Sequence, residues 1–162
     1  LTFFSLGTLT WAKGQDQALE FLKVFLKRYG KPVRYIIVGK GPLKDELIKT
    51  CEEMKTLFSH FNYQYIERAP HDEVMAIHNI SDVYIMMHRI SIFDFATLEA
   101  MSQKTAIILS DVGGNSDFNK ANNVILCEDN DYETSCDSLI NENIDDDSDD
   151  DNLINIIKAK KV

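Results

Sequence analysis

Residues 106–115 read Ala-Ile-Ile-Leu-Ser-Asp-Val-Gly-Gly-Asn, an unbroken apolar run that stops at a glycine turn. Such a run, with no polar residue at alternate positions, suits a strand covered on both faces, as in a parallel sheet. Working outward, the same kind of run recurs at 83–87 (VYIMM), 34–38 (RYIIV), 1–6 (LTFFSL) and 123–127 (NVILC), with a weaker one at 62–66. Between the runs the period changes. Residues 16–29 place apolar side chains at 18, 19, 21, 22, 25, 26 and 29, a helical spacing, and Gly30 supplies the stop. Helices are likewise expected at 43–56 behind Pro42, at 72–78 behind Pro70, at 95–103 and at 131–140. Strands alternating with helices predict an α/β fold built on a parallel sheet.

At 162 residues the prior is one domain, and 44% apolar with 27% charged residues is ordinary globular composition. No stretch approaches the ~18 apolar residues of a membrane-spanning helix, and no charged segment followed by an apolar one opens the chain. Beginning with Leu1 inside a strand pattern, the chain is expected to be a piece of a longer protein. Its net charge of −9 is uneven: residues 1–127 hold 14 Lys/Arg and 14 Asp/Glu, residues 128–162 hold 3 Lys and 12 Asp/Glu. The acidity therefore belongs to the tail, and a body without a basic stripe argues against nucleic-acid binding. Residues 1–141 are expected to form the working domain and 142–162 a loosely attached acidic tail. Within that tail, the Asp145–Asp151 block should repel itself and stay unfolded, and 153–159 form a short last helix. Cys51, Cys127 and Cys136 are odd in number and lack CxxC spacing, which fits reduced thiols.

In an open parallel sheet, ligands bind beyond the carboxyl ends of the strands. There the chain places Gly7 to Lys13-Gly14, Gly39-Lys-Gly41, His88 to Asp94 followed by a helix carrying Glu99, and Asp111 to Asn115. Glycine turns and helix N-termini present backbone amides suited to phosphate oxygens, and Lys13 adds a point charge. Taken singly, each is ordinary turn chemistry; four at one rim make a binding site the better reading. The four histidines show no metal-ligand spacing: His71 and His78 are expected on a helix surface, and His88 at a strand end. Trp11 is expected to cover a helix start.

The loop Gly7 to Lys13-Gly14 resembles the G-R-L-x-x-x-K-G element of family 4 glycosyltransferases. Ile36-Ile-Val-Gly-Lys-Gly-Pro, Leu98-Glu-Ala-Met and Ala106 to Asn115 resemble later motifs of that family in order and spacing, over residues 1 to about 127. The resemblance implies a Rossmann-like, three-layer α/β fold, the C-terminal donor-binding lobe of a GT-B enzyme. It implies a hexosyltransferase that retains anomeric configuration and uses no metal or other cofactor. The donor would be a UDP-, GDP- or ADP-linked sugar. The acceptor, a saccharide or lipid in glycan, glycolipid or polysaccharide synthesis, would be held by a separate N-terminal lobe. That lobe would also provide any peripheral contact with the inner face of the membrane in a cytoplasmic protein, and this piece alone would transfer nothing.

Residue by residue, the resemblance assigns Lys13 to the donor diphosphate, with backbone amides at the Gly7, Gly14 and Gly39 turns around it. Glu99 would hold the ribose hydroxyls, amides around Phe93 and Asp94 would face the donor sugar, and Thr97 would help hold phosphate. Gly113 and Gly114 would keep the opposite wall low. Three positions depart from the family pattern. Thr8 replaces its Arg, a loss that Arg89 or Lys40 could offset; Ser91 replaces the first Glu of E-x7-E; and Ile92 and Asp94 replace the glycines flanking Phe93. Losing a carboxylate that stabilises developing positive charge costs on the order of 10²-fold in rate, unless Asp94 rotates in. A catalytically impaired binding or scaffold subunit is therefore the alternative. A dinucleotide oxidoreductase is disfavoured, because Lys44 stands where G-x-G-x-x-G requires its third glycine.

Overall fold

The computed structural model of the chain describes residues 1–119, 124–128 and 130–140. In chain order they form β1 (Thr2–Leu6), α1 (Gln15–Arg28), β2 (Val33–Val38), α2 (Lys44–Leu57), β3 (Phe61–Ile66), α3 (His71–Ile80), β4 (Val83–Met86), α4 (Phe95–Ser102), β5 (Ala106–Ser110), β6 (Val124–Cys127) and α5 (Tyr132–Ile140). The strands make one sheet in the order β3-β2-β1-β4-β5-β6, every neighbouring pair parallel. That order reverses direction between β1 and β4, the arrangement of doubly wound α/β domains.

Both faces of the sheet are covered, as the unbroken apolar runs require. Successive strand residues alternate faces, so Phe3, Tyr35, Ile37, Val83, Ile85 and Ile108 join one core with α1, α2 and α5. Phe4, Ile36, Val38, Tyr84, Met86, Ile107 and Leu109 join a second core with residues of α3 and α4. The first core holds the aromatic cluster Phe3, Phe21 and Phe25, with Phe3 edge-on to Phe25 at 5.3 Å. β3 reads weakly in the sequence because it is an edge strand with three side chains half covered and two exposed.

The expected elements are found with small shifts at their ends. α3 is longer than the expected 72–78, running to Ile80, where the Ser81 hydroxyl donates to the Ile77 carbonyl at 2.6 Å. Two short 3-10 segments, Trp11–Lys13 and Gly113–Asn119, occupy stretches read as plain turns. His78 is a correction: it is fully buried, not on a helix surface, with its ring 4.7 Å from Phe4 and 5.4 Å from Tyr84. The apolar sheet face beneath α3 takes that ring because the helix turns it inward; His71, at the first turn, stays outside. Asn123, the acidic tail and the expected last helix lie outside the described residues.

Candidate ligand-binding site

Helix α1 packs on one face of the sheet and α4 on the other, so the connections leaving β1 and β4 part in opposite directions and leave a crevice. Lys13 enters it from the 3-10 turn after β1, and Gly14 ends that turn with φ +69. A side chain at Gly14 would bring its Cβ to 1.6 Å from the Met87 carbonyl oxygen, so the two connections touch backbone to backbone here. Only glycine permits that approach in the left-handed region. Gly113 and Gly114 do the same on the far side: the Gly114 amide donates to the Ser91 carbonyl at 3.3 Å, and a Cβ on Gly113 would lie 1.8 Å from that carbonyl oxygen. Gly39 closes on the carbonyl of Gly7. A Cβ on Gly7 would meet only Lys13 and Gln15 side-chain atoms, at 3.7–3.8 Å, an ordinary contact.

The Lys13 ammonium lies 3.4 Å from the Asp94 carboxylate and 3.4 Å from Nε2 of His88, with 32% of its side chain still exposed. Asp94 is buried. It takes hydrogen bonds from the Tyr84 hydroxyl at 3.1 Å and the Thr97 hydroxyl at 2.8 Å. Burial, then the adjacent Asp94 carboxylate, raises the Tyr84 phenol well above its ordinary range; the more distant Glu99 adds to this. The Glu99 carboxylate itself is 3.6 Å from Nδ1 of His71. Burial, with some help from the Lys13 charge and against that of Asp94, pushes His88 down to about 4, so its ring is neutral at pH 7.

The structure brings Gly7, Lys13, Gly14, Asp94 and Thr97 together around this crevice, with Gly39, Gly113 and Gly114 holding the loops that border it, while Glu99 lies one turn into α4, paired with His71. Three expectations need correction. Thr97 is fully buried with its hydroxyl and amide both given to Asp94, so in this conformation it braces the loop and offers nothing to a phosphate. Arg89 is committed elsewhere: two bonds join it to Asp16 at 2.9 and 2.6 Å, and its guanidinium covers Trp11 at 5.2 Å. It therefore does not replace the cation missing at Thr8; Lys40 is exposed. Asp94 is not free to swing, since three side chains hold its carboxylate. The Phe93 ring is half exposed, packed on Phe95 and Phe118 at 5.4 and 5.1 Å.

Sequence reasoning missed Gln15 and Tyr84. Gln15 is fully buried, and its amide pins the Thr8 carbonyl at 3.2 Å. Tyr84 reads as one more apolar strand residue until its hydroxyl is seen on Asp94. Three buried polar atoms at this rim have no partner among the described residues: Gln15 Oε1, His88 Nδ1 and Asn115 Oδ1. They follow β1, β4 and β5 in turn. Among the described residues no group of three or more His, Cys, Asp or Glu could hold a metal ion, and no helix is long and apolar enough to cross a membrane.

A doubly wound parallel sheet covered by helices on both faces belongs to the broad class of Rossmann-like α/β folds. Comparison narrows this: residues 1–160 match the glycosyl transferases group 1 family, and the chain belongs to it. An uncharacterized glycosyltransferase of Methanocaldococcus jannaschii is 26% identical over 112 residues, 67% of this chain and 26% of that protein. Trehalose-6-phosphate synthase OtsA is similar in fold, with TM-score 0.73 at 14% identity over 99% of this chain and 38% of that one. A trehalose-6-phosphate protein from E. coli bound with UDP-2-fluoro glucose has TM-score 0.74 at 14% identity, over 99% and 38%. S. aureus TarM, solved with UDP, is similar at TM-score 0.69 and 16% identity, over 97% and 28%. The chain thus spans about a quarter to two fifths of the length of these relatives.

Proposed function

We propose that this chain is the donor-binding lobe of a retaining GT-B hexosyltransferase and that its crevice takes the diphosphate of a nucleotide sugar. The observation that carries the reading is the Lys13 ammonium, set at the topological switch point with a third of its side chain open to solvent. Lys13 would neutralise charge on the departing diphosphate, aided by first-turn amides of α1 and α4. Glu99 would accept from the ribose hydroxyls, while Phe93 and Asp94 would lie beside the donor sugar. A separate lobe would bring the acceptor, and closure of the two would exclude water. Calorimetry with UDP, GDP and ADP tests this: one of them should bind, and Lys13→Met should weaken that binding at least tenfold. No heat from any of the three, or an unchanged affinity in the variant, would overturn it.

Ser91 at the position of a donor-facing carboxylate favours a second reading, a lobe that binds donor but transfers poorly. Ser91→Glu in the full-length protein separates the two, since a transfer rate that rises sharply identifies an impaired site.

A further inference from the structure

At the opposite end of the strands from Lys13, a cleft of about 560 Å³ opens between the first residues of β1, β2 and β3, with Arg34 on β2 and Lys55 in the last turn of α2 on its wall. Among the described residues, no Asp or Glu lines it. Arg34, Lys55 and Lys31, the neighbour of the lining residue Pro32, are exposed, and none makes an ion pair among the described residues. Arg34 gives a hydrogen bond to the neutral Gln64, and Lys31 lies 5.9 Å from the centre of the Tyr29 ring. A lysine in a last helical turn complements the helix dipole, which accounts for Lys55; Lys31 and Arg34 stand before and on a strand, where no such dipole calls for them. Three cations around an acid-free cleft attract a polyanion.

The chain supplies one. Residues 1–127 are balanced in charge, whereas residues 145–151 carry six Asp in seven positions. The path to the cleft is short. Arg28, in the last turn of α1, pairs with Glu133 and Asp137 of α5, and α5 ends three residues later at Ile140. The same turn of α1 also meets the cleft, where His60 Nε2 donates to the Leu26 carbonyl at 3.3 Å. The end of a single helix, ~10–12 Å across, thus separates Ile140 from the cleft. Asp145, five residues beyond Ile140, can lie up to ~17 Å from it, and Asp151 up to ~37 Å.

We propose that the acidic segment Asp145–Asp151 docks on this cleft of its own chain, over Lys31, Arg34 and Lys55. Tethered to α5, the segment meets the cleft at an effective concentration of order millimolar, ahead of free anions. Single exposed ion pairs are worth little and are screened by salt; six carboxylates facing three cations act as a network. A docked tail keeps other polyanions off the amino end of the sheet. The contact lies away from Lys13 and is independent of what that crevice binds.

Carbodiimide coupling of the full chain, read by mass spectrometry, tests this, because it joins a lysine to a carboxylate already in contact. Residues 145–151 should couple to Lys31 and Lys55 at least fivefold more at about 20 mM salt than at about 500 mM. Coupling to Lys13 and Lys40, beyond the other end of the strands, should stay at the high-salt level. Arg34→Gln combined with Lys55→Gln, both at exposed positions, should cut the coupling to Lys31 at least threefold. A second measurement needs no coupling chemistry: Asp→Asn at all six aspartates of 145–151 should shift the backbone amide resonances of residues 31–34 and 55–62 and leave those around Lys13 in place. Coupling spread evenly over Lys13, Lys40 and Lys55 overturns the proposal, as do unmoved amides at 31–34 and 55–62. In a mixture of isotope-labelled and unlabelled chains, products that only join one kind to the other would assign the cleft to a second copy and overturn it as well.

Discussion

Replacing Asp94 by Asn should tighten nucleoside-diphosphate binding. The Asp94 carboxylate holds Lys13 at 3.4 Å. A phosphate oxygen on the open side of the ammonium, at an ordinary charge-assisted contact of ~2.8 Å, would stand about 6 Å from that carboxylate. Repulsion between unit charges at ~6 Å is roughly 2.7 kcal/mol at an effective dielectric of 20 and roughly 0.7 kcal/mol in water. Midway, about 1.5 kcal/mol is released when the carboxylate becomes an amide. Some is returned because Lys13 loses an anchor, a side-chain ordering cost of up to ~1 kcal/mol. The net expectation is a three- to tenfold gain in affinity, largest at low ionic strength. Asn keeps an oxygen to accept from Tyr84 and Thr97, so the loop geometry should survive, which thermal melting checks. Calorimetry with the diphosphate bound by the unmodified chain, at low and high salt, measures the effect. Affinity that is unchanged or weaker, in a variant that melts normally, would refute the placement of the diphosphate beside Lys13.

Acid should destabilise the chain through His88. Burial lowers its folded pKa to about 4, against ~6.5 unfolded, so between these values the unfolded chain binds the extra proton. Stability from this group is then complete above about pH 6.5 and falls by up to ~1.4 kcal/mol per pH unit towards pH 4. Urea midpoints across that window should therefore slope less in His88→Phe than in the unmodified chain; equal slopes would contradict the buried neutral ring. Gly14→Ala should cost about 3–5 kcal/mol, since it combines a left-handed backbone with a Cβ 1.6 Å from the Met87 carbonyl oxygen. A chemical melt showing less than ~1 kcal/mol would mean that the two connections are not in contact.

The doubly wound sheet was legible because a strand buried on both faces must be apolar throughout, and residues 83–87 and 106–110 say so without help from distant parts of the chain. The rim was legible for a related reason. Glycines beyond strands 1, 2 and 5, together with Lys13 and Glu99, are local signals whose place follows once the strands are parallel. What each rim residue does was not legible. Thr97, Arg89 and Asp94 read as three groups available to a ligand, but availability depends on neighbours 3 to 73 residues away: Thr97 on Asp94, Arg89 on Asp16 and Asp94 on Tyr84. His78 looked like a surface residue because helical period alone cannot say which face meets the sheet. The sequence by itself determined the layers and the end of the sheet where ligands belong, since both follow from short-range apolar patterning. Only the tertiary structure decided which charges remain free there, because pairing, burial and protonation are set by side chains brought together from the turn after β1, from β4 and from the loop between β4 and α4.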